Sequence, residues 1–182
     1  MKGRLVVLLV SLGMLGVGWV VSPELMLLGG LCSFGAAALL AHAYLRQRKR
    51  GPILLLDGSN IMHWRGGTPD LAPVRDVIAQ VSIQGFTPGV VFDANAGYKL
   101  EGRYLHHPAL ARALGLPSSR VMVVHKGDVA DGLILRAARD HGARVISNDR
   151  FRDWAGDFPE VARPGFLIRG RYLQGRLELD LP

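Results

Sequence analysis

Five aspartates stand where short apolar runs end or where the next element begins: Asp57, Asp93, Asp131, Asp149 and Asp153. Ile53 to Leu56 lead into Asp57, and Val90, Val91 and Phe92 lead into Asp93. Val145 and Ile146 lead into Ser147, Asn148 and Asp149, and Asp153 follows four residues later. Asp131 opens a helix-like segment after the run Val121 to Val124. Acids at the carboxyl ends of parallel strands converge on one sheet edge, where open α/β proteins bind ligands. Several carboxylates held together cannot all stay ionised without a compensating cation. Mg²⁺ or Mn²⁺, hard ions that prefer oxygen ligands, is the simplest compensation. Such an ion activates water and neutralises charge on a phosphodiester, so the implied chemistry is metal-assisted hydrolysis. Asp57, Asp131 and Asp149 suit metal binding, directly or through waters. Asp153 suits a second ion or the attacking water, provided that its segment is helical. Asp93 sits at the same edge but also reads as a turn residue. Asp128 divides between an N-cap and a further acid. Lys126, Arg150 and Arg152 adjoin these acids and suit phosphate contacts.

The elements that must position these residues follow from periodicity. Continuous apolar runs predict strands over residues 53–56, 90–92, 121–124, 145–146 and 166–168, with a terminal strand or hairpin over 172–179. Helices are expected over 73–84, 108–114 and 129–141; Val74, Val77, Ile78 and Val81 show the spacing in the first. Residues 57–60 and 93–97 read as turns. Strand and helix alternate, which argues for a parallel α/β sheet flanked by helices. No G-x-G-x-x-G follows the first strand, and neither a Walker A lysine nor a G-x-S-x-G elbow occurs. Asp57 is followed by Gly58 and Ser59, so the D-x-D of an aspartyl nucleophile is missing. Trp64 and Trp154 suit base stacking or core packing.

Ahead of this region the composition changes. Residues 5–21 and 25–45 form two apolar runs in which Glu24 lies only in the turn between them. The second run is long enough to cross a hydrocarbon core, and Pro23 disfavours helix at Ser22. A transmembrane helical hairpin is therefore expected. Lys2 and Arg4 flank one end, and Arg46, Arg48, Lys49 and Arg50 the other. The positive-inside rule then puts both ends, and the folded domain, in the cytoplasm; in a bacterium this is the inner membrane. A cleaved signal peptide is the competing reading of residues 1–21. The expected organisation is a membrane anchor over 1–50, including the basic flank 46–50, and a catalytic domain over 51–182. The net charge of +7 divides unevenly. Six basic residues against Glu24 lie in the first 51 residues, and the remainder carries 16 basic and 14 acidic residues. The high isoelectric point belongs mostly to the anchor and is no argument for nucleic-acid binding. Cys32 is the only cysteine, so no disulfide within the chain and no Cys/His zinc pattern is available.

Asp57-Gly58-Ser59-Asn60 after one buried strand, and Ser147-Asn148-Asp149-Arg150-Phe151-Arg152-Asp153 after another, resemble the NYN domains of the PIN-like nuclease superfamily. The Regnase-type branch, the zinc-finger CCCH ribonucleases, is the most similar. The resemblance covers residues 53 to about 169. It implies a PIN-like (Rossmannoid) fold and Mg²⁺- or Mn²⁺-dependent endonucleolytic cleavage of single-stranded RNA. By position it implies Asp57 and Asp149 as metal ligands, Asp131 as the acid of the helix start and Asp153 as a further acid. Asn60 is implied to hold substrate or a metal-bound water. The pattern departs from that branch in two respects: Asp128 and Asp131 are three apart where the branch has paired acids, and the zinc finger is missing. The partners implied are RNA and, through the apolar runs, a lipid bilayer; a second copy of the chain is a further candidate. A non-catalytic RNA- or protein-binding module, or a nuclease acting on DNA, is the alternative reading.

Overall fold

The computed structural model describes residues 31–41, 51–66, 68–125 and 127–181. The chain divides into two compact units, Met1–Arg50 and Gly51–Pro182. Residues 31–41 are helical and fall inside the second apolar run. The expected helix 5–21, the remainder of 25–45 and the basic flank 46–50 lie outside the described residues. Among the described residues no helix is long and apolar enough to cross a membrane.

The second unit is built on five parallel strands: β1 (Ile53–Asp57), β2 (Thr87–Phe92), β3 (Val121–Val123), β4 (Arg144–Ile146) and β5 (Leu167–Ile168). Their order is β3-β2-β1-β4-β5. The chain winds outward from β1 through β2 to β3, then returns to lay β4 on the opposite side of β1. The switch point thus lies between β1 and β4, where doubly wound sheets open a crevice at their carboxyl ends.

Five helices accompany the sheet: α1 (Gly58–Ile61), α2 (Ala72–Ile83), α3 (Ala96–Glu101), α4 (His107–Leu114) and α5 (Ala130–His141). β1 is buried on both faces because its side chains alternate. Leu54 and Leu56 join Val90, Phe92 and Ile146 on the face covered by Val74, Val77 and Val81 of α2 and Leu110 of α4. Leu55 joins Val91 and Val145 on the face covered by Ile134, Leu135 and Ala138 of α5. This alternation explains why β1 reads as an unbroken apolar run.

Several expectations need correction. Thr87, Pro88 and Gly89 belong to β2, which begins three residues before the expected strand over 90–92. Thr87 donates its N–H to the Pro52 carbonyl at 2.8 Å, so the next residue faces away from β1. β3 pairs with β2 only from Val90 onward, so the missing N–H of Pro88 deprives no neighbour. Residues 58–61 are a short helix and not a plain turn, with Ile61 and the following Met62 buried. Residues 96–101 also form a helix, ended by Gly102 at φ 69°. The terminal residues, by contrast, form a hairpin as expected, β6 (Gly170–Leu173) and β7 (Arg176–Leu179). Gln174 and Gly175, at φ 50° and 77°, make its two-residue turn.

Two polar clusters fasten outlying segments. Arg139 of α5 donates to Glu160 at 2.7 and 2.9 Å and to the Asp157 carbonyl at 2.6 Å, and stacks over Phe158. These hydrogen bonds hold the Glu160 carboxyl down to about 2. On the other face, Asp76 of α2 accepts from Arg65 at 2.5 Å and from the Tyr172 hydroxyl at 2.6 Å. That pair fixes the hairpin to α2.

Gly58 is required where β1 passes into α1. A Cβ there would lie 2.5 to 2.8 Å from three ring carbons of the fully buried Phe92. Gly58→Ala should therefore destabilise the protein by about 1–3 kcal/mol through overpacking. Equilibrium unfolding in urea measures this, and an unchanged midpoint would contradict the close approach.

Candidate active site

Asp57 is the last residue of β1 and the N-cap of α1. One carboxylate oxygen accepts the Asn60 backbone N–H at 3.1 Å. The other accepts the Ser147 hydroxyl at 2.8 Å, which spans the switch point from β1 to the segment after β4. Ser147 is completely buried. Its oxygen in turn accepts the Asp149 N–H at 3.0 Å. Asp149 then accepts the Phe151 N–H at 2.8 Å. This local bond accompanies a left-handed Phe151 (φ 48°), whose ring is buried in the core below. A short 3₁₀ turn, Arg152–Trp154, follows. Asp153 therefore does not repeat Asp149 along an α-helix, as the spacing suggested; the left-handed residue between them breaks the helical path.

Asn60 is locked from the same two sides. Its side-chain oxygen accepts the Trp64 indole N–H at 2.8 Å and the Asn148 backbone N–H at 3.0 Å. Both partners are N–H donors, so the oxygen is identified and its lone pairs are taken. The amide N–H₂ makes no hydrogen bond among the described residues and is the group available to a substrate or a water. Trp64 also packs on Gly170, where a Cβ would collide with its ring. Trp64 is thus a positioning residue for Asn60, and the base-stacking reading is set aside for it. Asn148 completes the frame by exchanging two hydrogen bonds with the Gly170 backbone, at 2.8 and 3.2 Å.

Asp93, just past β2, donates its backbone N–H to the Ser59 hydroxyl at 2.8 Å, which ties it to α1. Asp131 lies in the first turn of α5. Burial, offset by the bonds from Ser147 and Asn60 and reinforced by the charges of Asp131 and Asp93, pushes the Asp57 carboxyl up to about 6. Burial also raises Asp131, followed by the charges of Asp149 and Asp93; the Trp154 indole works against them, and Asp153 adds to them. Asp57, Asp93, Asp131, Asp149 and Asp153 therefore share one electrostatic field. None of the ion pairs among the described residues neutralises any of the five. Among the described residues, no three acidic, histidine or cysteine groups close into a ready-made metal cage. An ion that keeps several of its own waters and uses one or two carboxylates suits such an open set of oxygens.

The remaining sequence candidates divide. Asp128 is exposed and is not an N-cap; Val129 holds that position in front of α5. Arg150 and Arg152 are exposed beside Asp149. Lys126 lies outside the described residues. Ser59 and Ser147 carry hydrogen bonds to the segments of the acids, and Asn148 holds Asn60, roles that sequence reasoning did not give them. Their signal was present, since each adjoins a candidate acid or amide in one of the two motifs.

The family described as the Zc3h12a-like Ribonuclease NYN domain matches residues 50–164, and the chain belongs to that family. No curated protein matches the chain. Among solved structures, nuclear proteinaceous RNase P 2 (PRORP2) from A. thaliana is similar, with a TM-score of 0.51 and 17% sequence identity. The match covers 72% of this chain and 30% of that one, so this chain spans under a third of that protein's length. A second structure of PRORP2 from Arabidopsis thaliana aligns at a TM-score of 0.48 and 16% identity, covering 84% of this chain and 35% of that one. At these identities the likeness is one of fold.

The raised Asp57 carboxyl has a consequence for stability. Folding favours its protonated form, because its value in the folded protein is about 6 against an ordinary 3.8. Its contribution is complete below pH 4 and is lost as pH rises through 6. Metal-free protein should lose at most about 3 kcal/mol of stability across that window. Asp57→Asn should flatten this dependence. Chemical denaturation in EDTA from pH 4 to 7.5 tests the sign; a rise in stability from this group with pH would refute it.

Proposed function

We propose that this chain is a divalent-metal-dependent endoribonuclease that cleaves single-stranded RNA. The reading is supported by the electrostatic coupling among five aspartates from separate segments, none of them ion-paired among the described residues, in a ribonuclease-family domain. Asp57, Asp131, Asp149 and Asp153 are the residues proposed to hold Mg²⁺ or Mn²⁺, with Asp93 added on its electrostatic coupling to Asp57 and Asp131. A bound divalent ion supplies an activated water and neutralises charge on the reacting phosphate. The chain's own residues do the rest. Ser147 and Asn60 fix both oxygens of Asp57 in direction. The free N–H₂ of Asn60 donates to substrate or to a water. Arg150 and Arg152 meet the strand through its phosphates, as charge contacts that carry no base preference.

The tether belongs to the same proposal. Two apolar runs, basic outer flanks and a Pro-containing turn support a two-pass anchor with the nuclease domain on the cytoplasmic side. A tethered nuclease meets RNA at the membrane surface and not throughout the cell volume.

Three experiments test these readings. Full-length chain should cleave labelled single-stranded RNA with Mg²⁺ or Mn²⁺, lose cleavage in EDTA and leave matched DNA intact. Asp149→Asn should lower the rate by at least about 100-fold while keeping the fold. Divalent ion should also raise the melting temperature of the wild type, and by less in Asp149→Asn. Metal-independent RNA binding without cleavage would favour a binding module, and cleavage of DNA would widen the substrate class. For the tether, the chain should stay in the membrane fraction after an alkaline wash; release into the supernatant would remove the anchor from the proposal.

A further inference from the structure

A cavity of about 360 Å³ lies at the N-terminal end of α5, lined by Asp128, Val129, Gly132, Leu133, Arg136 and Trp154. Its lining combines apolar walls with one carboxylate and one guanidinium. Val129 is 59% exposed there. Trp154 is seated by a specific device. Its six-membered ring lies so close over Gly132 that a Cβ at that position would come within 2.6 Å of it. Its indole also opposes the upward shift of Asp131, the residue before Gly132. Trp154 therefore adjoins both the cavity and the turn of α5 that carries Asp131.

We propose that this cavity is a nucleobase subsite, which takes one base of the RNA strand flanking the phosphate held at the acids. The inference rests on the ribonuclease reading above and adds to it the place where base identity is read. A phosphate does not fit the lining, because Asp128 and the neighbouring aspartates repel it. A flat, polar-edged aromatic ring does. Every base offers a π face to Trp154, and single-stranded RNA can splay its bases into such a recess. Asp128 accepts from an amino or ring N–H of the base edge, and Arg136 donates to a ring nitrogen or a carbonyl. Neither side chain is engaged in an ion pair among the described residues. Val129 and Leu133 exclude water from the rim. Trp154 is the platform in this scheme.

The test uses the full-length chain and a short RNA with a single cleavage site. One abasic nucleotide is walked through successive positions on either side of that site. In the wild type, one flanking position should lower kcat/KM roughly tenfold when its base is removed, mainly through KM. Val129→Trp fills the recess from an exposed position, and Arg136→Gln removes the donor; neither disturbs a buried side chain. Both should lower cleavage of intact RNA toward the abasic level. Both should then be indifferent to base removal at that same position, and remain as sensitive as the wild type elsewhere. A flat abasic walk on an RNA that is cleaved overturns the subsite and leaves the nuclease standing. So does a position-specific loss of undiminished size in both variants. Failure to cleave any RNA removes the nuclease reading and the subsite together.

Discussion

The structure is organised around a carboxylate kept where a charge is costly. Asp57 ends the central strand, at the switch point where β1 and β4 part, and its neighbours cover it before water can. A buried carboxylate has two ways to persist: it takes up a proton, or it finds positive charge and hydrogen-bond donors. Here the protein supplies donors, the Ser147 hydroxyl and the Asn60 N–H, and among the described residues no ion-paired cation. Four more aspartates in the same field make the deficit larger. The donors set direction and leave the charge uncompensated. Such an arrangement weakens a metal-free fold at neutral pH, and it is intelligible if the missing charge comes from a ligand.

Holding several loops at one edge needs close packing as well as hydrogen bonds. The same device appears three times, an aromatic ring laid on a glycine. Phe92 lies on Gly58, Trp154 on Gly132 and Trp64 on Gly170. Each pair joins a different segment to the sheet edge: β2 to α1, the 3₁₀ turn to α5, and the loop after α1 to the hairpin. A methyl group at any of these glycines meets an aromatic ring with little room to move. The acids hold their relation to one another because the backbone segments that carry them touch at these points.

Much of this was legible in the amino-acid sequence. The buried parallel strands announce themselves as short apolar runs, and an aspartate after such a run is placed by topology alone. The helices over 72–83, 107–114 and 130–141 are long enough to show a period. What escaped is what has no period. Four residues of α1 and six of α3 offer too few turns to display one, and Asx-type residues in front of them read equally well as turns. The path from Asp149 to Asp153 depends on a left-handed Phe151, a conformation that no residue type announces when it is not glycine. Trp64 is ambiguous in sequence because an indole packs or stacks equally well. Only its hydrogen bond to Asn60 and its seat on Gly170 decide the matter.

The hairpin shows that the folded unit extends past the family match. The family match stops at residue 164, yet Asn60 depends on residues beyond it. Asn148 holds Asn60 by its backbone and is itself held by the Gly170 backbone. Trp64 holds Asn60 from the other side and rests on the same glycine. Arg65 and Asp76, neighbours of these segments, grip Tyr172 of the hairpin. Gly170 thus supports both groups that occupy the Asn60 oxygen. Without the hairpin that oxygen would lose its fixed partners, and the amide could turn and offer either end to a ligand. The orientation of Asn60, with its oxygen closed and its N–H₂ open, is therefore a property of the extended domain. Asp57, Asp93 and Asp149 end or follow strands of the sheet; the amide beside them is aimed by the segment beyond it.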